Sequence, residues 1–266
     1  MKQFGIQLYS VRDAFASEES AKAAFKELKA LGYSYGQTAG VYPDIDRERF
    51  ARYAKEADFA ICGTHYDWGK IINDVEDTVN YHRILGTSFI GIGGMPTDAR
   101  SSLAKTKEFI GTFNEMAKIY KEYGFKLTYH NHSFEFAKAE GYKTYFDFLV
   151  DGLDPDNTSF CLDTYWVQHG GADIRATIER LKGRIDILHL KDMVANNMYS
   201  LADGRSLCAP IYGCIGDGNI DFASIIPLAE ECGTKYFVVE DDRCRAGEYM
   251  NDAKKSADYI NKYLVK

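Results

Sequence analysis

The run Lys126-Leu127-Thr128-Tyr129-His130-Asn131-His132 holds the pattern on which the architecture rests. It begins as a strand, with apolar and β-branched residues, and ends in two histidines separated by one residue. Before it, Leu103–Tyr123 repeats apolar residues at helical spacing, with Phe109, Phe113, Met116, Ala117 and Tyr120 on one face. Gly124 follows, where a helix needs a left-handed terminal residue. Helix, glycine stop, short strand, polar strand end: this unit is the module to look for elsewhere.

The same module recurs along the chain. Strands are expected at Phe4–Leu8, Tyr33–Gln37, Phe59–His65, Ser88–Ile92, Lys126–Asn131, Thr158–Asp163, Ile185–Leu190 and Tyr236–Glu240. Helical stretches lie between them, such as Ser20–Leu31, and glycine stops recur at Gly32, Gly86, Gly183 and Gly233. Strands alternating with helices imply a parallel sheet. Eight units of about 33 residues fit a closed (β/α)8 TIM barrel, whose usual size is about 250 residues. An open doubly wound sheet is the competing architecture, but the turn after the first strand, Leu8-Tyr9-Ser10-Val11-Arg12, lacks its glycine-rich phosphate loop. No shift in composition divides the chain, so residues 1–266 are expected to form one domain. A longer connection, roughly Met193–Asn219, is expected to be a loop over the active site.

Composition narrows the function. The chain is 45% hydrophobic and 27% charged, enough for a packed core. Its formal net charge of −7 argues against nucleic acid or an anionic membrane as partner. No stretch approaches the roughly 20 apolar residues of a membrane span. The N-terminal run from Met1 enters a strand without an apolar signal core, and the six cysteines include no CxxC pair, which together suggest a reduced, cytoplasmic protein. Cys208 and Cys214 are spaced for a loop bridge, but reduced thiols are expected. Self-association into a homo-oligomer is compatible with all of this.

In a barrel, the C-terminal ends of the strands carry the chemistry. Here they are unusually polar: Gln7, Gln37, His65, His130 and His132, Asp163, His189 with Lys191, and Glu240 with Asp242. Parallel strands are buried on both faces and have little use for such residues unless something binds there. Oxygen and nitrogen donors without a thiolate suit one divalent ion, whether Mn²⁺, Mg²⁺, Co²⁺ or Zn²⁺. Trp68 and Trp166 each follow a ligand-type residue by three positions and are expected to stack on substrate. His169-Gly170-Gly171 is expected to line the pocket, and His82, within a helix, to lie on the surface.

Five segments carry a resemblance: Tyr129-His130-Asn131-His132-Ser133-Phe134-Glu135-Phe136, Leu162-Asp163-Thr164-Tyr165-Trp166-Val167, His189-Leu190-Lys191-Asp192, Gly216-Asp217-Gly218-Asn219-Ile220-Asp221, and Val238-Val239-Glu240-Asp241-Asp242. In this order and spacing the chain resembles the xylose-isomerase-like TIM-barrel superfamily, and within it the sugar phosphate isomerase/epimerase branch. The resemblance implies a metal held by Asp163, His189 and Glu240 on strands six to eight. The strand-five ligand of such proteins is usually a glutamate. His130 occupies that place here, with Glu135 as the competitor, and Gln37 replaces a frequent acidic residue on strand two.

The expected activity is that of a metal-dependent sugar isomerase or epimerase. Proton abstraction beside a carbonyl gives an enediolate, which a divalent ion would stabilise. Glu240, Glu135, His132 and Lys191 are the expected proton-transfer and polarising residues. Gln7, His65, Trp68, Trp166 and Asp242 are the expected substrate contacts. The same enolisation also serves inosose dehydration and elimination from 3-keto-glycosides. A DNA-repair endonuclease would need several metals and a basic track, and a non-catalytic barrel would leave the polar strand ends without a purpose. The substrate is expected to be a small sugar, keto-sugar or inosose. No phosphate-binding loop supports a phosphorylated one.

Overall fold

A computed structural model of the chain describes residues 1–39, 45–141, 143–200 and 206–265. The strands β1 Gly5–Gln7, β2 Tyr35–Ala39, β3 Ala60–His65, β4 Phe89–Ile92, β5 Lys126–His130, β6 Thr158–Asp163 and β7 Ile185–Leu190 fall where the sequence predicts them, to within two residues. The eighth barrel strand, here β10, spans Tyr236–Val239. Among the described residues, ten α-helices follow or connect the strands: α1 Glu18–Ala30, α2 Arg47–Glu56, α3 Trp68–Asn73, α4 Val75–Leu85, α5 Leu103–Glu122, α6 Tyr145–Gly152, α7 Thr164–His169, α8 Ile174–Arg180, α9 Phe222–Glu231 and α10 Tyr249–Tyr263.

All eight barrel strands are parallel, in the order β3-β2-β1-β10-β7-β6-β5-β4. Just beyond β3, the Tyr66 N–H donates to the Gly91 carbonyl of β4 at 2.7 Å, which brings the two edges together into a nearly closed barrel. Parallel register sets matching residues side by side. Gln7 pairs with Gln37, His130 with Cys161, and Asp163 with His189. The five glycine stops all adopt positive φ, from 71° at Gly86 to 104° at Gly32.

One expectation on the fold requires correction. The connection after β7 is mostly an antiparallel hairpin, β8 Asp192–Ser200 with β9 Ser206–Gly213. The segment that follows it is anchored by the Asp192 carboxylate. That carboxylate accepts the backbone N–H groups of Gly216 and Gly218 at 2.9 Å and Ile220 at 3.3 Å. A side chain at Gly218 would collide with that carboxylate, which gives the Gly216-Asp217-Gly218 run its structural purpose.

Candidate metal centre at the C-terminal end of the barrel

Four side chains from four strand ends converge. One ligand atom from each of His130, Asp163, His189 and Glu240 lies within 4.8 Å of the others, and all four residues are buried. Nε2 of His130 is 3.5 Å from Oδ2 of Asp163 and 3.9 Å from Oε2 of Glu240. Nδ1 of His189 is 3.0 Å from Oε2 of Glu240 and 3.7 Å from Oδ2 of Asp163.

Neighbouring bonds aim these atoms. Oδ1 of Asp163 caps α7 by accepting the Trp166 N–H at 2.9 Å, while the Asp163 backbone N–H donates to Asn131 at 2.9 Å. Oδ2 is left over, buried and without a hydrogen-bond partner. His130 uses Nδ1 on the Gly93 carbonyl at 3.2 Å, a bond that requires the proton on Nδ1 and so, in the neutral tautomer, puts the lone pair on Nε2. That Nε2 is likewise buried and unpartnered. Uncompensated buried polar atoms are rare, because each forfeits its hydration without a replacement. Two of them face each other here, so the donor set fits a cation.

Charge supports the same view. Asp163, Glu240 and Asp242 surround the single ammonium of buried Lys191, whose Nζ lies 2.6 Å from Asp242, 3.2 Å from Glu240 and 3.8 Å from Asp163. Burial opposes the charge on Lys191, but the three carboxylates outweigh it and hold its pKa above the ordinary value. Glu240 stays well below the usual carboxylate range, since Lys191 and His189 overcome the effect of burial. Asp242 is pushed up by burial and by Glu240, against the pull of Lys191. Against the effect of burial, neighbouring charge including Glu240 also holds the His189 pKa well above its ordinary value, so three carboxylates face Lys191 and His189 and a smaller excess of negative charge remains for a cation to balance.

The walls around this centre are aromatic and imidazole rings. Lys191 Nζ sits 5.0 Å from the Trp166 ring and 4.9 Å from Tyr212. The Trp166 indole N–H is buried without a partner. His65 lies 4.7 Å from His130 and 5.5 Å from His189, ring to ring, with its Nε2 unpartnered. Burial, then the neighbouring His130, lower the His132 pKa to about 3, so this ring is neutral at physiological pH.

Several sequence expectations are relocated by the structure. Glu135 does not join the convergent set. Its carboxyl is fully buried and accepts the Tyr129 hydroxyl at 2.7 Å and the His132 backbone N–H at 2.8 Å, and burial raises its pKa to about 8. Gln7 is buried behind the site, bonded to Gln37 and to the Tyr9 backbone, with no exposed atom left for substrate. The Trp68 ring packs on Phe109 and Phe113 of α5, a helix-packing position. His169 is exposed and stacks on Tyr165. His82 is fully buried rather than on the surface, with Nδ1 2.7 Å from the Thr78 carbonyl and Nε2 2.8 Å from the Thr64 hydroxyl. Cys214 is a free thiol, and the Cys208 side chain lies outside the described residues. Asn131 and Tyr212 had no place in the expected site. Asn131 lies at the end of the strand-five run, whereas Tyr212 reaches the site from β9, a strand that the sequence does not signal.

Comparison with known proteins agrees with this architecture. A family model described as Xylose isomerase-like TIM barrel matches residues 25–263, and the chain belongs to that family. An inosose dehydratase of Mesomycoplasma hyopneumoniae strain J is 26% identical over 270 residues, covering 91% of this chain and 88% of that protein. The inosose dehydratase of Halalkalibacterium halodurans is 26% identical over 162 residues, and there the match spans about half of the relative's length (52%). Among solved structures, a sugar phosphate isomerase/epimerase from Parabacteroides distasonis ATCC 8503 superposes with a TM-score of 0.81 at 23% identity, covering 99% of this chain and 95% of that one. The IOLI protein, solved with a bound zinc atom, gives 0.67 at 16% identity, covering 99% of this chain and all of that one.

Proposed function

We propose that this protein is a divalent-metal-dependent enzyme that moves a proton at the carbon beside the carbonyl of a sugar or keto-polyol, interconverting isomers or epimers. The observation that carries the proposal is the convergence of His130 Nε2, Asp163 Oδ2, His189 Nδ1 and Glu240 Oε2, two of them buried without a partner. These four residues would hold the ion, with His130 rather than Glu135 supplied by β5. When bound, the ion contributes positive charge against which negative charge on substrate oxygens is stabilised.

The chain's own residues supply the rest. Glu240, kept ionised by Lys191 and His189, accepts the proton from the substrate carbon, and the C–H electron pair moves toward the carbonyl oxygen. Lys191 returns a proton from its ammonium, held by Asp242 and Glu240 and faced by Trp166 and Tyr212. Return to the neighbouring carbon, as the hydroxyl proton on that carbon's side passes to the former carbonyl oxygen, gives isomerisation, and return to the same carbon from the other face gives epimerisation. His132, neutral and with Nδ1 unpartnered, is the second proton carrier in place of Glu135, whose carboxyl braces the turn after β5. Trp166, His65 and Asp242 would contact the substrate.

Dehydration of an inosose is the second reading, favoured by the name of the curated relatives. It begins with the same abstraction, after which a β-hydroxyl leaves with a proton from Lys191. Elimination from a 3-keto-glycoside would follow the same course. The test is exchange: enzyme, ketose or keto-inositol and a divalent metal are incubated in deuterium oxide. Deuterium at the α-carbon is expected. Turnover with no exchange for any substrate would point to hydride transfer instead.

A further inference from the structure

Behind the candidate metal centre lies a buried amide pair that no step above uses. Gln7 and Gln37 are paired in register on β1 and β2, and neither is exposed to solvent. Gln7 Oε1 accepts the Tyr9 backbone N–H at 3.3 Å, which turns the Gln7 amide nitrogen toward Gln37. That nitrogen donates to Gln37 Oε1 at 3.1 Å. The same Gln37 oxygen lies 2.5 Å from His189 Nε2, and the Gln37 amide nitrogen is directed at Cys161 Sγ, 3.8 Å away.

We infer that the Gln7–Gln37 pair is a positioning device that fixes the proton of His189 on Nε2 and thereby presents Nδ1 to the cation. A backbone N–H can only donate, so the orientation of each amide follows from the one before it. Gln37 Oε1 can only accept, so His189 Nε2 must carry a hydrogen. When a cation is bound the ring is neutral and its lone pair is on Nδ1, the atom that faces Glu240 Oε2 at 3.0 Å. Two acceptors at that distance repel unless a proton or a cation stands between them. A glutamine does this without adding a further carboxylate to a cluster that already holds Asp163, Glu240 and Asp242. Groups that orient a ligating histidine commonly change metal affinity by about 10- to 100-fold when removed.

The inference rests on the metal-centre reading, and one titration separates the two. Cobalt(II) is titrated into the metal-stripped full-length protein, followed by calorimetry and visible absorption. Wild type should bind with a ligand-field spectrum. Gln37→Leu should bind about 10- to 100-fold more weakly with an altered spectrum. Gln37→Glu keeps an acceptor facing Nε2 and should restore the wild-type band shape. Gln7→Leu, which frees the Gln37 amide to rotate, should fall between and covers the case in which Gln37→Leu does not fold. In the zinc-loaded protein, long-range ¹H–¹⁵N spectra of labelled histidine should show His189 protonated at Nε2. Equal affinity and spectra for wild type, Gln37→Leu and Gln7→Leu, or a proton on Nδ1, would overturn the positioning role while leaving the metal centre intact. Wild type that takes up no cobalt would take both down.

Discussion

Two adjacent layers inside the barrel are built from the same four strands and do opposite things. Tyr35, Cys161, Ile187 and Val238 belong to one buried cluster with Cys62 and Phe89. Two residues further along the same strands stand Gln37, Asp163, His189 and Glu240. A strand returns a side chain to the same face every second residue, so the apolar plug and the polar centre are successive turns of one pattern. The plug contributes stability through burial. The polar layer gathers like charges and unpartnered atoms, and it makes sense only in terms of what it binds. On the proposed reading, function occupies one layer and stability the next, and substitutions should separate them.

The largest effect is expected at Asp163→Asn. The variant keeps an oxygen to cap α7 but loses the carboxylate charge, so metal uptake and turnover should both fall to background. Unfolding free energy of the metal-free protein should fall by less than the roughly 2–5 kcal/mol expected for a large-to-small change in the plug. A large loss of stability would break the division between layers. Next is Lys191→Met, which removes the proton carrier but keeps much of the stem. Turnover should fall about 10²- to 10⁴-fold, the usual contribution of one positioned acid or base, while metal affinity is kept or tightened. Unchanged turnover would assign Lys191 to charge balance alone.

In the plug the signs reverse. Ile187→Ala should cost about 2–5 kcal/mol in urea unfolding, as for other buried isoleucines, while metal bound per folded molecule stays as in wild type. A smaller and sharper effect is expected from His82, which lies outside both layers. Burial lowers its pKa to about 4, below the ordinary value of 6.5. Between those values the unfolded chain takes up a proton that the folded chain refuses. The contribution of His82 is thus complete above about pH 6.5 and is lost as the pH falls toward 4, to a total of up to about 3 kcal/mol. The difference between wild type and His82→Gln in denaturant midpoint should follow that window.

Much of the polar layer was legible in the sequence, because strand ends are marked by periodicity and glycine stops. His130, Asp163, His189 and Glu240 stand at the ends of predicted strands. Residues whose roles depend on closure of the barrel were not legible. Gln7 reads as a strand-end polar residue, and only the register of β1 with β2 shows that it faces Gln37 rather than substrate. Glu135 lies five residues past His130, yet the turn after β5 directs it back onto Tyr129. His82 shares a helix face with Val79 and Leu85, a pattern that indicates burial more strongly than the polarity of imidazole indicates exposure. Tyr212 could not be placed because the residues of β8 and β9 show no clean alternation, so the segment reads as a loop.

Whether the polar layer holds a catalytic cation is answered by metal analysis paired with activity. Protein purified without chelator is assayed by elemental analysis beside Asp163→Asn, and turnover is followed after stripping and reconstitution. About one divalent ion per wild-type chain is predicted, as for a site with one set of protein ligands, absent from the variant, with activity lost on stripping and regained on addition of metal. A wild-type protein that turns over substrate without a metal ion, or a variant that retains the ion in full, would contradict it.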